Sequence, residues 1–208
     1  MPTIPDGVAG AVITGWGTAL PPKVLTNDDL AGMMDTSDEW IQERTGIKER
    51  RVGGTTAGLS AEAGRKAIEM SGVDPARIDG LILATTTPDR TVPATAPTVQ
   101  NELGLRCGSF DVNAACSGFM YGLVVAHGLI TMGAEKILVI GTDTLARITD
   151  WEDRNTAILF ADGSGAVVLE AVDGRGELVA WDLDADGSAE RYLYAEVGGV
   201  MKMDTMSS

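Results

Sequence analysis

Two wholly apolar tetrapeptides, Leu81-Ile82-Leu83-Ala84 and Ile137-Leu138-Val139-Ile140, constrain the fold of this chain more than any other feature. Each is too short for a buried helix, and neither alternates apolar with polar residues. Each therefore reads as a strand covered on both faces. Helical patterns surround them. Apolar residues recur at helical spacing over 59–71, where Gly72 stops the pattern, and residues 96–103 stop at Gly104 in the same way. Residues 8–17 give a first strand. Thr26 reads as an N-cap before Asn27, Asp28 and Asp29, and Ser37 or Asp38 opens a short helix carrying Trp40, Ile41 and Arg44. Strands alternating with helices imply an α/β protein with a mainly parallel sheet and helices on both faces.

One junction in this pattern carries chemistry. Residues 108–112 read as a strand, Asn113-Ala114-Ala115 leads out of it, and Cys116-Ser117-Gly118 opens a segment that is apolar almost all round as far as Met132. That segment implies a helix buried on most of its faces. A thiol where a strand becomes a helix meets backbone N–H groups without intrahelical partners, which favour negative charge on sulfur. Ala114, Ala115, Ser117 and Gly118 leave room for a carbonyl group to approach. The local pattern fits a nucleophile and a small packed cysteine equally well. His127, the only histidine, lies three helical turns on, about 16 Å along the axis, and is too distant to serve Cys116 within that helix. It reads as a structural or surface residue, and Cys107 as a buried small one. Asp162-Gly163-Ser164-Gly165 lacks the P-loop lysine and precedes a strand pattern, so it reads as a tight turn.

Composition removes several function classes. Sixteen Lys and Arg against thirty Asp and Glu, a net charge of −14, exclude a nucleic-acid binder, although Arg44, Lys48, Arg50 and Arg51 form a local basic group. No apolar run approaches a membrane span, and residues 1–10 lack the features of a signal peptide. Two cysteines are too few for a disulfide framework, so a reducing cytoplasm is the expected setting. From Ala171 onward there are eight acids and three bases, with a strand-like run over 176–182 and a strand fragment at best over 198–208. A boundary is expected there, dividing the chain into 1–170 and 171–208.

Four ordered segments together resemble β-ketoacyl-acyl carrier protein synthase III, of the thiolase-like superfamily. They are Asp35-Thr36-Ser37-Asp38-Glu39-Trp40-Ile41 with Arg44-Thr45-Gly46-Ile47, the Cys116 segment, Asp153-Arg154, and Phe160-Ala161-Asp162-Gly163-Ser164-Gly165-Ala166. The resemblance runs from Ala9 to about Asp186. It implies a layered α-β-α-β-α fold, of which 1–170 would be the first half and 171–208 the opening of the second, and it implies a homodimer.

In chemical terms the resemblance implies a decarboxylating Claisen condensation that initiates fatty acid biosynthesis. Cys116 would take the acyl group of a short acyl-CoA, and malonyl-acyl carrier protein would supply the attacking carbanion. Trp40 would stack on the adenine of coenzyme A, with Arg44 at its phosphates, Arg154 on the ring's other side and Thr36 as a polar contact. Without the resemblance, Trp40 fits a helix-face core residue and Arg44 a solvated charge. Leu145 and Phe160 would form part of the acyl pocket wall, with Val92 reaching across from a dimer partner. Neither a metal nor a cofactor is implied, since coenzyme A enters with the substrate. The family's catalytic His and Asn belong to its second half and have no counterpart in these residues, so acylation without condensation is expected of them. Relatives that start polyketides or join two acyl chains would share these segments, as would a non-catalytic module that binds coenzyme A or dimerises.

Overall fold

The computed structural model describes residues 7–174 and 176–203. In chain order the elements are β1 (Gly10–Ala19), β2 (Lys23–Thr26), α1 (Asn27–Ala31), α2 (Asp38–Thr45), β3 (Glu49–Val52), α3 (Thr56–Ser71) and β4 (Gly80–Ala84). There follow α4 (Ala96–Glu102), β5 (Gly108–Val112), α5 (Gly118–Thr131), β6 (Lys136–Thr144), α6 (Arg154–Ala157), β7 (Asp162–Val172), β8 (Tyr194–Ala195) and β9 (Met201–Lys202). They gather into two compact units. As far as they are described, one holds residues 7–20, 55–143 and 163–183, and the other holds 21–54, 144–162 and 184–203.

The first unit is built on a five-stranded sheet in the order β1-β7-β6-β4-β5. The two apolar runs are its centre: β4 pairs in parallel with both β5 and β6. The parallel pairing expected of the sheet is found there, and toward its other edge β1 and β7 pair antiparallel. The strand alternation sorts the core into two layers. Leu81, Leu83, Leu138 and Ile140 pack with Ala63, Ala67 and Val99 of α3 and α4. Ile82, Ile137 and Val139 pack with Ala126 and Ile130 of α5.

Helix α3 lies directly on β1 because Gly15 and Gly17 place no side chain beneath it. A Cβ on Gly15 would stand 2.3 Å from the Ala67 carbonyl oxygen, and one on Gly17 would stand 2.3 Å from that of Ala63. These glycines do not end the strand at residue 17; they let it run beneath the helix to Ala19.

Three further expectations are corrected. Helix α5 is not buried on most faces: Gly118, Gly122, Ala126, His127 and Ile130 are buried, while Met120 and Val125 are exposed. Only the face laid on the sheet is covered among the described residues. The Asp162-Gly163-Ser164 run is not a turn but the start of β7, where Ser164 pairs with Ala19 and ladder pairing overrides turn propensity. Residues 176–182 form no strand beyond an isolated bridge at Ala180. The Glu177 N–H donates to the Ala11 carbonyl and its carboxylate accepts from the Ile13 N–H, which ties this segment down irregularly.

The second unit pairs β2 antiparallel with β3 and packs Leu30, Ile41 and Ile158 together. Its polar centre is Asn27. Its amide donates to Asp38 Oδ1 at 2.8 Å and to the Ile47 carbonyl at 2.7 Å, and its oxygen accepts from Arg50 Nη2 at 3.0 Å. Arg50 is thus a buried structural residue and no part of an exposed basic group. A two-stranded β8–β9 ribbon completes this unit, so residues 198–203 do hold a strand fragment, while 204–208 lie outside the described residues.

Gly17→Ala is expected to lower stability by about 1–3 kcal/mol, the usual range for forced overpacking, in urea denaturation of the 208-residue chain. Gly165→Ala, with nothing within 4 Å of the new Cβ, should be close to neutral.

His127 gives a pH prediction. Burial lowers its pKa from the ordinary value of 6.5. The folded state therefore prefers the neutral ring, and the unfolded chain binds the proton first. The resulting stability is present above pH 6.5 and is lost on acidification below it. A shallower loss of stability between pH 7 and 5 is expected in His127→Leu than in the wild type.

Candidate active site

The strand-to-helix junction lies within the first unit. After β5, Ala115–Ser117 makes a single 3-10 turn before α5 begins at Gly118. Cys116 occupies the middle of that turn and is exposed. Ala115 before it has φ +46°, a left-handed conformation costing a non-glycine residue about 1–3 kcal/mol. The turn is held by Ser117 N–H donating to the Ala114 carbonyl at 3.1 Å and Ala115 N–H donating to Asn113 Oδ1 at 3.2 Å. The other cysteine is different: Cys107 is half-buried against the core, and burial raises its thiol pKa, leaving it the less reactive form.

A group of residues that sequence reasoning did not single out shapes this end of the sheet. The Asp143 carboxylate, at the end of β6, accepts from Thr86 N–H at 2.8 Å and from the hydroxyls of Thr85, Thr86 and Thr87 at 3.0–3.2 Å. The Thr85 N–H donates to the Val112 carbonyl at 3.0 Å. These bonds fix the exit of β4 beside the exit of β5, from which Cys116 follows. Its sequence signal is three threonines just past one apolar run and one aspartate just past the other.

The second unit brings Trp40, Arg44 and Arg154 together. Helix α2 starts at the N-cap Ser37, whose hydroxyl accepts from the Trp40 N–H, and Gly46 closes it at φ +71°. Four residues apart, Trp40 and Arg44 share a face, and the Arg44 guanidinium carbon lies 4.1 Å from the indole centroid. That of Arg154, from the first turn of α6, lies 4.7 Å from the same ring. Arg154 Nη1 also donates to the Asp35 carbonyl at 2.8 Å. Nearby in sequence, Thr36 Oγ1 is buried without a hydrogen-bond partner.

The residues read as an acyl wall belong to both units. Leu145 and Phe160 are half-buried in the second unit, and Val92 is exposed in the first. A cavity of about 430 Å³ in the second unit is lined by Lys23, Met33, Trp151 and Asp162, among others, and by neither Leu145 nor Phe160. Buried Asp162 accepts from the N–H groups of Gly53 and Ala146 there. Among the described residues no group of three His, Cys, Asp or Glu could hold a metal ion, and no helix is long and apolar enough to cross a membrane.

Comparison with known proteins gives a consistent answer. The family model for 3-oxoacyl-[acyl-carrier-protein (ACP)] synthase III matches residues 110–187, which include Cys116 and Arg154. A β-ketoacyl-[acyl-carrier-protein] synthase III of Erythrobacter litoralis is 53% identical over 196 residues, 90% of this chain and 61% of that protein. Among solved structures, the 3-oxoacyl-[acyl-carrier-protein] synthase III of Aquifex aeolicus superposes with a TM-score of 0.85 at 42% identity, over 93% of this chain and 64% of that one. The priming β-ketosynthase of the R1128 polyketide pathway superposes with a TM-score of 0.87 at 28% identity, over 97% of this chain and 65% of its own. The chain thus spans about three fifths of the length of the curated relatives it matches, and its α/β fold is that of the thiolase-like synthases. Over those residues, it is similar to the β-ketoacyl-[acyl-carrier-protein] synthases III.

Proposed function

We propose that this chain carries the acyl-accepting part of a β-ketoacyl-acyl carrier protein synthase III, which initiates fatty acid biosynthesis from a short acyl-CoA. The observation that carries the reading is the exposed Cys116, held on a strained turn ahead of α5 in a chain similar to these synthases. The Cys116 sulfur attacks the thioester carbonyl, the tetrahedral intermediate collapses, and coenzyme A leaves as its thiol while the acyl group stays on sulfur. The Cys116 N–H is the candidate first donor to the oxyanion. Malonyl-acyl carrier protein is the second substrate of the complete reaction. The protein acts in the cytoplasm as a homodimer, with no resident cofactor.

The nucleotide end of the substrate is assigned to Trp40, Arg44 and Arg154, with unpartnered Thr36 Oγ1 as an added polar contact. Indole and guanidinium planes both stack on a purine, and guanidinium groups pair with phosphates through several donors. Leu145 and Phe160, with Val92 of a partner copy, are proposed for the acyl wall. The boundary near residue 170, separating a first thiolase-like half from the start of a second, belongs to the same reading.

A priming role in polyketide synthesis is the second reading, favoured by the likeness to the R1128 enzyme. Acyl chain-length preference distinguishes the two, short starters supporting fatty-acid initiation.

Mass spectrometry after exposure to acetyl-CoA should show one acetyl adduct on the chain, absent from Cys116→Ser. An adduct that persists in Cys116→Ser would reassign the nucleophile. No β-ketoacyl product is expected from these 208 residues with malonyl-acyl carrier protein, because their only histidine is buried and lines a cavity that Cys116 does not. Calorimetric titration with coenzyme A should weaken roughly fivefold in Trp40→Ala, equivalent to about 1 kcal/mol for a partly exposed stacking contact. Undiminished binding in both Trp40→Ala and Arg154→Ala would remove the nucleotide assignment.

A further inference from the structure

His127 is the one histidine of the chain, and the acyl-transfer reading gives it no task. It is 5% exposed, and its Nε2 is buried without a hydrogen-bond partner. An orphaned buried nitrogen is costly unless something meets it. It lines a cavity of about 130 Å³ within the first unit, whose other walls are Ala11 and Ile13 of β1, Leu123 of α5, Leu169 of β7, and Glu177 and Leu178. We propose that this cavity is a binding site for a small neutral aromatic alcohol, with the ring against the aliphatic walls and the hydroxyl on His127 Nε2.

Size, polarity and charge each narrow the ligand. An aliphatic cavity of about 150 Å³ accommodates benzene, so one of this volume takes a single six-membered ring and little more. Five of the seven lining residues are aliphatic, which excludes a strongly solvated polar molecule. Buried His127 is held neutral, so it offers no cation to a carboxylate ligand, and the Glu177 carboxylate in the same wall repels one. A hydroxyl both donates and accepts, so it satisfies Nε2 in either tautomer of the neutral ring. Glu177 is not free to turn inward: its Oε2 accepts from the Ile13 N–H at 3.1 Å, and its own N–H donates to Ala11. These bonds keep the irregular segment over the cavity as its outer wall. Water alone suits the site less well, because a buried water typically makes about three hydrogen bonds and the only polar side chains in the walls are those of His127 and Glu177.

The site is distinct from Cys116 and from the Trp40 group, none of which lines it. Its test is therefore independent of acyl transfer. Phenol, benzene and benzoate are titrated into the 208-residue chain with ¹⁵N-labelled histidine, and the imidazole resonances of His127 are followed. Phenol should bind saturably and shift the Nε2 resonance. Benzene should bind about tenfold more weakly, the difference made by one buried hydrogen bond, and benzoate should not bind. His127→Leu should make phenol and benzene equal. Leu178→Phe, which fills the cavity from an irregular segment and leaves every residue of the sheet and α5 unchanged, should abolish phenol binding even if the His127 variant does not fold. The proposal is overturned if phenol leaves the His127 resonance unmoved up to its solubility. Equal binding of benzene and phenol by the wild type, or phenol binding that survives Leu178→Phe, would overturn it as well.

Discussion

The placement of Cys116 depends on how closely α5 approaches the sheet. A Cβ on Gly118 would stand 3.3 Å from that of Ala84, one on Gly122 would stand 3.1 Å from Val139 Cγ1, and one on Gly141 would stand 3.1 Å from the Phe119 ring. Small residues at these crossings let helix and strand approach to contacts tighter than most side chains allow, and a close-packed seam tolerates little sliding. With α5 held at both β4 and β6, the path from the end of β5 to Gly118 is short. The left-handed Ala115 is the local consequence, since the chain reverses within one turn. Such strain persists only where the surroundings over-determine it. The Asp143 carboxylate supplies part of that determination, because it ties the exits of β4 and β6 together through three threonines.

The second unit solves a similar positioning problem with polar groups. Asn27 uses both amide hydrogens and its oxygen inside the unit, reaching Asp38 in the first turn of α2, the Ile47 carbonyl just beyond it and the Arg50 guanidinium. A buried amide that is fully satisfied orients its neighbours more narrowly than an apolar contact can. Helix α2 has only eight residues, too few to be stable alone, so this anchoring and the contacts of Ile41 give Trp40 a fixed backbone to project from.

Much of this was legible in the sequence, and the failures share a cause. The caps at Thr26 and Ser37, the stop at Gly72, and the buried strands at β4 and β6 follow from local chemistry, which the sequence prints directly. So does the Trp40–Arg44 face, set by helical spacing. The misread elements depended on partners distant in sequence. Asp162-Gly163-Ser164 has turn composition, but β1 supplies a ladder for it. The glycines of β1 look like strand breakers until α3 is placed on them. Arg50 looks like one of four surface cations, and only Asn27 and the Ile158 carbonyl reveal it as buried. Asp143 was passed over because four of its hydrogen bonds come from a segment more than fifty residues away.

The Trp40 group shows how a proposed nucleotide site can be assembled yet closed. At 4.7 Å from the indole centroid, the Arg154 guanidinium stands too near for a purine to enter between them. An incoming ring must therefore displace Arg154 and take its place on the indole. The displacement breaks exposed contacts, among them the Arg154 Nη1 hydrogen bond to the Asp35 carbonyl. The Arg154–Asp35 ion pair is solvent-exposed at 3.8 Å, and such pairs contribute about 0–1 kcal/mol. The exposed cation–π contact adds a similar amount. A purine stacked on Trp40 and covered by the returning guanidinium would replace one such contact with two while leaving Arg44 free to meet phosphate. The resting contacts thus keep both guanidinium groups at the indole, where the proposed ligand would meet them.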